Sequence, residues 1–584
     1  MPLPLHLQQL KTASLESLRA DQPQPISCHI IFLQRRLWGA ASGLRLNPLA
    51  GAMEGGDTVV TQQVCQVDDM YDGEMREVEV AGHPVLLVRD HLQFSALGSR
   101  CTHAGAPLSK GYLGQGRIRC PWHGACFSLK TGDIEEYPTL DCLTSFKVTV
   151  DGGHVYVTAK IKDLESSHRV KPMSKRNPLN SQTALLLGAG PAALTCAEIL
   201  RQEGFTGRIV MVTRENHLPY DKTKLSKALG VKATDIYLRP QSFLDGHSIE
   251  VWMEKEVASL DLDGKRAEFS DGTWQTYDHL LIATGSSPRR LQCPGANLQN
   301  VCVLLTPEDS SRILRLATGK RVAIVGASFI GMEVAASLVG KAACIEVIER
   351  AECPYQAALG CQVGHVAMKM LQVQGVKFHL QAEVTELQGE GGKVTQVLLS
   401  SGQVILTDVV VVGIGVTPNS SFLQDSSIVL DRRGAVVVDL FMRTSAPSVF
   451  AAGDVASFPV ALLGGKNIDI CHWQIAQAHG RVAALNMLQR QEKLHTVPFF
   501  WTKLQAKSIR YAGCGMGYTE TVLKGDLSQE KFLIFYIRDG IVTAVASLNF
   551  DPMVAMVAEV LYSGKIITKD EAEAMNEEAP PEKA

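Results

Sequence analysis

A strand–glycine–helix unit occurs twice in this 584-residue chain, and that repeat constrains the fold more than any other feature. The first apolar run, 184–187, leads into a glycine loop formed by Gly188, Ala189, Gly190, Pro191 and Ala192. The second run, 322–325, leads into a loop that begins at Gly326 and ends at Gly331. Such glycines permit a tight turn and let a pyrophosphate reach the N-terminus of the next helix. One match is weak evidence, but two predict two dinucleotide-binding α/β folds.

The second glycine loop departs from the usual pattern, because Ser328 stands where a glycine normally lets the pyrophosphate come close. Glu349 follows the next strand, and a carboxylate there accepts hydrogen bonds from a ribose 2′-hydroxyl, which favours NADH over NADPH. The adjacent Arg350 weakens that preference. The alternative is that Glu349 is only a surface acid at a strand end. In the first copy, Glu215 is the corresponding ribose ligand.

A second motif places Cys101 and His103 in one short stretch and Cys120 and His123 in another. Two thiolates on one iron and two imidazoles on the other form the ligand set of a Rieske [2Fe-2S] centre. The alternatives are four unrelated residues or a Cys2His2 zinc site. The flanks of the motif resemble the Rieske ferredoxin family at the following positions: Gly124, Phe127, Thr131, Gly132 and Pro138.

Composition narrows the class of protein. The net charge of −3 offers no basic stripe for nucleic acid. No apolar run reaches the length of a transmembrane helix. Fourteen cysteines without regular spacing favour a reducing compartment and imply no disulfide. The start of the chain is acid-poor and carries arginines, a weak targeting signal, so we expect an intracellular protein, cytoplasmic or mitochondrial.

The organisation predicted along the chain is multi-domain. A small all-β Rieske domain precedes an α/β flavoprotein with two Rossmann units, and a C-terminal α+β interface domain follows. The predicted ranges are a disordered leader at 1–56, the Rieske domain at 57–160, a linker at 161–180, the first part of the FAD domain at 181–307, the NAD(H) domain at 308–432, the second part of the FAD domain at 433–489, the interface domain at 490–567 and a disordered tail at 568–584.

Two further stretches resemble motifs of two-dinucleotide-binding flavoproteins. They are 277–285, which ends in Thr284-Gly285, and 449–454, which ends in Gly453-Asp454. The stretches 218–227, 331–333 and 413–418 are similar to the ferredoxin-reductase and apoptosis-inducing factor branch. The order of domains resembles the Rieske-bearing, mitochondria-associated type 3 group of that branch. The resemblance covers about residues 57–567.

The resemblance implies FAD in the first Rossmann unit and NAD(H) in the second. It implies that Lys222 and Lys227 contact the flavin, that Val257 offers its backbone to the adenine and that Asp454 binds the ribityl chain. Lys227 and Glu333 are expected to form an ion pair at the reactive flavin edge. The motifs assign further cofactor contacts to Thr284, Gly285, Gly415, Gly453, Trp473 and Trp501. By the same resemblance, His103 and His123 are expected nearest solvent.

The resemblance implies an NADH-dependent oxidoreductase that passes electrons through FAD to the cluster and on to an unknown one-electron acceptor. No C-x4-C or C-x2-C pair is present to receive electrons as in disulfide reductases. Cys196, Cys344 and Cys471 are interpreted as small core residues. A different hypothesis is a redox-sensing or death-signalling protein with incidental turnover. A Rieske oxygenase would need a 2-His-1-carboxylate iron motif, and none is evident. The sequence does not predict the oligomeric state.

Overall fold

The computed structural model describes residues 58–575. The leader predicted at 1–56 therefore lies outside the described residues. The Rieske region contains a six-stranded antiparallel sheet and a smaller sheet of four strands that carries the cluster loops. In spatial order the strands of the six-stranded sheet are Val59–Gln66, His154–Lys160, Ser145–Asp151, Gln93–Gly98, His83–Asp90 and Met75–Val80. Those of the smaller sheet are Tyr112–Gly114, Arg117–Arg119, Cys126–Ser128 and Ile134–Glu136.

The first dinucleotide fold is a five-stranded parallel sheet, and the glycine loop follows its central strand. Each strand of this sheet is an apolar run, because helices and loops cover both faces. In spatial order the strands are Ile249–Trp252, Arg208–Val212, Thr183–Leu187, His279–Ile282 and Val449–Ala451. The helices Pro191–Gln202 and Trp473–Met487 pack against each other on this sheet.

The second dinucleotide fold repeats that architecture with five parallel strands and a glycine loop after the central one. The strands are Val301–Cys302, Val409–Val412, Arg321–Val325, Cys344–Ile348 and Lys377–His379. Its main helices are Pro307–Ala317, Phe329–Leu338 and Gln356–Gln372. The duplication predicted from the two glycine loops is therefore present as two similar sheets.

The C-terminal region is a five-stranded antiparallel sheet that packs against the helix Met553–Tyr562. In spatial order its strands are Phe499–Leu504, Lys507–Gly513, Ile541–Leu548, Lys531–Arg538 and Glu520–Asp526. The prediction of a disordered tail from residue 568 is wrong for its first part. Thr568 caps a helix, Lys569–Ala574, and Ala572 is buried, so the Glu- and Ala-rich composition belongs to a packed amphipathic turn.

The segment predicted as a linker at 161–180 begins with the helix Ile161–Leu164 and has little regular structure after it. Arg169 forms an ion pair with Asp133 and a β-bridge with Cys142, so this part of the segment lies against the Rieske sheets, and its role as a linker stays a prediction. The expectation of no disulfide is wrong at Cys353 and Cys361, whose Cα atoms lie 5.5 Å apart. A left-handed Tyr355 and a kink at Gly360 bring them together, a backbone path that cysteine spacing does not reveal.

No helix within residues 58–575 is long and apolar enough to cross a membrane. The predicted domain boundaries stay predictions, although the four kinds of region follow one another in the predicted order.

Candidate functional site

A cavity of about 680 Å³ opens above the first glycine loop and extends to the C-terminal sheet. Most residues predicted to bind cofactor share its wall, together with both predicted catalytic residues. They are Gly188, Ala189, Gly190, Pro191, Ala192, Glu215, Lys222, Lys227, Val257, Thr284, Gly285, Glu333, Gly453, Asp454, Trp473 and Trp501. Residues that are distant in the sequence therefore form one site, because the loops at the carboxyl ends of the parallel strands meet there.

The first glycine loop fits a pyrophosphate. Gly188 has φ +128°, and an added Cβ would lie 2.1 Å from the carbonyl oxygen of Ala283, so only glycine permits this turn. At Gly190 an added Cβ would meet no protein atom within 4 Å, which leaves open space at the N-terminus of the helix Pro191–Gln202. A bound phosphate would be favoured there by the free N–H groups and the helix dipole.

Charged side chains line the cavity. Asp454 is half-buried, desolvation raises its pKa, and it accepts a hydrogen bond of 2.9 Å from the hydroxyl of Ser286. Glu215 accepts hydrogen bonds from Tyr220 at 2.6 Å and from Lys222 at 2.8 Å. Lys222 is thus held by Glu215, and the predicted flavin contact of Lys222 and ribose contact of Glu215 stay predictions.

Lys227 and Glu333 form the predicted contact, with 3.0 Å between Nζ and Oε2. Glu333 is only 3% exposed, so its carboxylate needs several donors. Ser226 donates to Oε2, and Thr502, on a strand of the C-terminal sheet, donates to Oε1 at 2.8 Å. Three regions of the chain therefore meet at this carboxylate, and its predicted catalytic role stays a prediction.

The glycines of the second loop do not line the large cavity, although Phe329 and Ile330 of the same loop do. Gly326 and Gly331 are both needed for close packing, since an added Cβ would lie 2.3 Å from the carbonyl of Gly413 and 1.9 Å from that of Gly326, respectively. Gly415, with φ +96°, lies on a neighbouring turn. Glu349 accepts hydrogen bonds from the backbone N–H of Ala327 at 2.6 Å and of Ala351 at 2.9 Å. Its carboxylate therefore stands beside the loop, where a ribose ligand is required.

The four cluster ligands lie together on two loops of the small Rieske sheet. Nδ1 of His103 lies 3.0 Å from Nδ1 of His123, and the thiols of Cys101 and Cys120 form a hydrogen bond with each other. Burial lowers the pKa of His103 to about 4 and that of His123 well below its usual value. Both rings are therefore neutral at pH 7, which is the form that binds metal.

The arrangement fits a binuclear cluster better than a zinc ion. Within residues 58–575 no three His, Cys, Asp or Glu side chains converge as they would on a single metal ion. Structural zinc needs four ligands at one point. One pair of thiols and one pair of imidazoles instead supply two ligands to each iron of a Rieske cluster.

The histidine edge of the cluster site lies towards the cofactor cavity. His103 and His123 are half-buried, whereas Cys101 and Cys120 are buried, so among the four ligands the histidines lie nearest solvent, as expected. The indole of Trp501 has its ring centroid 4.1 Å from that of His123 and 5.4 Å from that of His103. The same indole lines the cavity. The C-terminal sheet therefore contacts the histidine edge through Trp501 and leaves part of both imidazoles exposed.

A buried ionic network joins the second cluster loop to the C-terminal helix. Arg117 and Arg119 donate to opposite oxygens of Glu559 at 3.0 and 2.9 Å. Arg119 also pairs with Glu136 and donates to the carbonyl of Gly124 at 3.0 Å. All four charged side chains are buried. Two arginines and two glutamates balance in charge, so this part of the interface is neutral as a whole.

Sequence reasoning missed this network because its partners are more than 400 positions apart in the chain. The Arg-Ile-Arg run before Cys120 was a usable signal, since alternate arginines on a short strand share one face. Cys471 also needs correction: Cys196 is buried as expected, but Cys471 lines the cavity and is exposed there. Burial among protein atoms still raises the pKa of its thiol.

Comparison with family models gives three matches in the order of the observed regions. A Rieske [2Fe-2S] domain model matches residues 60–147, a pyridine nucleotide-disulphide oxidoreductase model matches 183–480, and a reductase C-terminal model matches 499–580. The predicted fold class is confirmed by these matches.

Among curated proteins, apoptosis-inducing factor 3 of Homo sapiens is 48% identical over 519 residues, which cover 88% of this chain and 86% of that protein. Rubredoxin-NAD(+) reductase of Pseudomonas putida is 32% identical over 58% of this chain and 88% of its own length. These matches confirm the resemblance stated from the motifs.

Among solved structures, the ferredoxin reductase for the CYP199A2 system from Rhodopseudomonas palustris has a TM-score of 0.64 and 28% identity, and the match covers 67% of this chain and 97% of that one. The covalent putidaredoxin reductase–putidaredoxin complex has a TM-score of 0.65 and 25% identity, with coverage of 68% and 96%.

Proposed function

From the premise that this chain belongs to the pyridine nucleotide-disulphide oxidoreductase family, and within it to the apoptosis-inducing factor 3 group, we propose that it carries electrons from NADH through FAD to its own Rieske cluster and on to a one-electron acceptor. The chain is an NAD(P)H oxidoreductase whose cofactors are FAD, NAD(H) and a Rieske [2Fe-2S] cluster. When bound, FAD exchanges a hydride with NADH and the cluster exchanges single electrons. The proposal concerns the path of the electrons within one chain, from FAD to the cluster, and their direction, from NADH towards the acceptor.

One observation carries the proposal: a single indole ring, that of Trp501, separates the cofactor cavity from the histidine ligands. Electron transfer depends steeply on distance, so a donor and an acceptor placed on opposite sides of one side chain are well positioned. The buried network at Glu559 supports the proposal, because it fixes the cluster loop on the C-terminal region without a flexible tether.

Lys227 and Glu333 are proposed to act at the flavin edge of the cavity. Glu333 holds the ammonium group of Lys227 in place, and Ser226 and Thr502 hold Glu333. A fixed positive charge there would stabilise negative charge that develops on a bound cofactor. Glu349, beside the second loop, is proposed to select NADH, since a 2′-phosphate would be repelled by its carboxylate.

Transfer within one chain is tested by rapid mixing with NADH under anaerobic conditions, with flavin absorbance and the EPR signal of the reduced cluster as readouts. We expect the rate of cluster reduction to be independent of protein concentration. A rate that rises in proportion to concentration would show transfer between molecules and would contradict the proposal.

Two variants complete the test. Cys120→Ser should abolish the Rieske EPR signal and leave reduction of the flavin by NADH in place. Trp501→Leu should keep the EPR signal of a chemically reduced cluster but slow its reduction by NADH. An unchanged rate in Trp501→Leu would remove the observation on which the proposal depends.

The signalling hypothesis stays open to the same measurement. Slow flavin reduction, a long-lived complex with the nicotinamide and no fast one-electron acceptor would favour it over the oxidoreductase role.

A further inference from the structure

The route proposed above leads electrons into the cluster, and the structure also restricts where they leave. Trp501 packs against one side of the histidine edge, whose two rings stay half-buried, and both cluster cysteines are buried within the Rieske domain. The residues of the cluster loops that remain exposed are Ala104, Gly105 and Trp122. An acceptor protein can therefore approach the cluster over these loop tips.

Trp122 is the large apolar side chain of this exposed face. It lies between the ligands Cys120 and His123, and its ring centroid is 6.3 Å from that of His123. Its side chain is held at the surface rather than in a core, with 36% of the residue exposed. The backbone beneath it is fixed, since Arg510 Nε donates to its carbonyl oxygen at 2.9 Å. A fixed, exposed tryptophan is the kind of residue that forms the centre of a binding interface.

The charge around Trp122 is positive. Arg510, which donates to the carbonyl of Trp122, lies opposite Trp501 in the C-terminal sheet, and Lys503 lies two positions after Trp501 on the same strand and therefore on the same face. Lys503 is exposed and forms no ion pair within the described residues, whereas Arg510 pairs with Asp551 at 2.8 Å. Lys224 is a further exposed cation, but it pairs with Asp221 at 3.7 Å and adds no net charge. The balance on this face favours an acidic partner.

We propose that the loop tips 104–105 and Trp122, with Lys503 beside them, form the docking surface for a small acidic one-electron carrier protein. The inference rests on the proposed function, because it assumes that the cluster is reduced in the same chain. One NADH is oxidised to NAD⁺ and a proton, and its two electrons reduce two carriers, one at each docking event. No bond between the chain and the carrier forms or breaks.

The test uses the holoprotein and the soluble domain of an acidic cytochrome b5 as the probe, with basic cytochrome c as its counterpart. At low ionic strength we expect cytochrome b5 to be reduced faster than cytochrome c, and we expect added salt to slow it. Lys503→Glu should slow cytochrome b5 reduction by about tenfold, within the range of electrostatic steering. Lys147→Glu, an exposed lysine on the large Rieske sheet, makes the same change in net charge and should have little effect.

Trp122→Ala should slow cytochrome b5 reduction by about tenfold, as expected for a central interface tryptophan. Trp122→Phe should restore most of the rate. Trp274→Ala, at an exposed tryptophan of the FAD domain, is the matched control. In these variants the cluster EPR signal and its reduction by NADH should equal those of the wild type.

Three results would overturn the docking surface. The first is an equal rate of cytochrome b5 reduction in Lys503→Glu and Lys147→Glu. The second is an equal rate in Trp122→Ala and the wild type. The third is a dimer that dissociates in Trp122→Ala, which would assign the face to a second copy of the chain. Failure of the proposed function is distinguishable, since the cluster would then not be reduced by NADH in any variant.

Discussion

In the first cluster loop, Thr102 donates a hydrogen bond of 2.7 Å to the carbonyl of Asp141, and its hydroxyl lies 2.8 Å from that of Thr139, so its contacts stay within the Rieske domain. In the second cluster loop, the flanking Arg119 and Gly124 contact Glu559 and Phe499 of the C-terminal region. The two loops carry the same kinds of ligand, yet the second is anchored to the C-terminal region by the Arg119–Glu559 contact, whereas the first meets that region through the ring contact of His103 with Trp501. The domain interface is therefore built into the cluster site itself.

The glycines that follow the two ligand pairs show the difference most clearly. Gly105 and Gly124 each lie four positions after their cysteine and have φ of +74° and +79°. A Cβ added at Gly105 would meet nothing within 4 Å, whereas one at Gly124 would lie 2.6 Å from the ring of Phe499. Both loops need a glycine at this position because φ is positive. At Gly124 a glycine is needed for a second reason, the close approach of the Phe499 ring.

The largest expected effect comes from removing the buried carboxylate of the interface. Glu559→Ala leaves Arg117 and Arg119 buried without their shared partner and should destabilise the protein by about 3–5 kcal/mol. The measurement is the urea midpoint of the loss of the cluster's visible circular dichroism. Glu520→Ala is the control, because Glu520 forms an exposed ion pair with Lys569, which solvent screens, so its loss should change the midpoint little. Equal midpoints for the two variants would contradict the buried network.

The paired glycine variants separate loop strain from docking. Gly105→Ala and Gly124→Ala both place a side chain at positive φ, which costs about 1–3 kcal/mol. Gly124→Ala also forces Phe499 to move, for about 1–3 kcal/mol more. We expect Gly124→Ala to slow cluster reduction by NADH and Gly105→Ala to leave that rate unchanged. If both variants slowed it alike, the asymmetry between the loops would have no functional meaning.

Thr102→Val should act on the first loop alone. It removes the hydrogen bond to Asp141, and the expected loss of stability is about 1–2 kcal/mol. The free energy of unfolding, measured from loss of the cluster during urea titration, should fall by that amount, while the rate of cluster reduction by NADH stays at the wild-type value. A slower rate would mean that the first loop also contributes to docking.

Much of the site followed from local sequence pattern. The two glycine loops and the Cys–His pairs are short motifs, and each motif specifies its own backbone geometry, so ligands such as His103 and loop residues such as Gly188 could be predicted in place. The relative position of domains has no such local signature. The contact of His103 and His123 with Trp501 depends on a side chain nearly 400 positions away, and for that reason the sequence did not predict it.

The disulfide at Cys353 and the helix capped by Thr568 were missed for a different reason. The disulfide depends on the backbone angles at Tyr355 and Gly360, and the helix depends on the cap formed by Thr568. Composition averages over such turns, so a Glu- and Ala-rich ending was interpreted as a tail. The capping pattern Thr568-x-x-Glu571 was present in the sequence and would have identified the helix start.

The smallest expected effect concerns the link between the second loop and Arg510. Arg510→Lys keeps the charge but loses the geometry that lets one guanidinium contact both the carbonyl of Trp122 and the carboxylate of Asp551, for a loss of about 1 kcal/mol. Arg510→Gln is the matched change that also removes the charge. If the two loops differ as described, both Arg510 variants lower the urea midpoint for loss of the cluster slightly. Thr102→Val should then cause the same loss of stability in these variants as in the wild type, since distant and independent contacts are additive. Double variants measured against the single ones give that result directly, and a deviation beyond about 0.5 kcal/mol would show that the two loops are coupled.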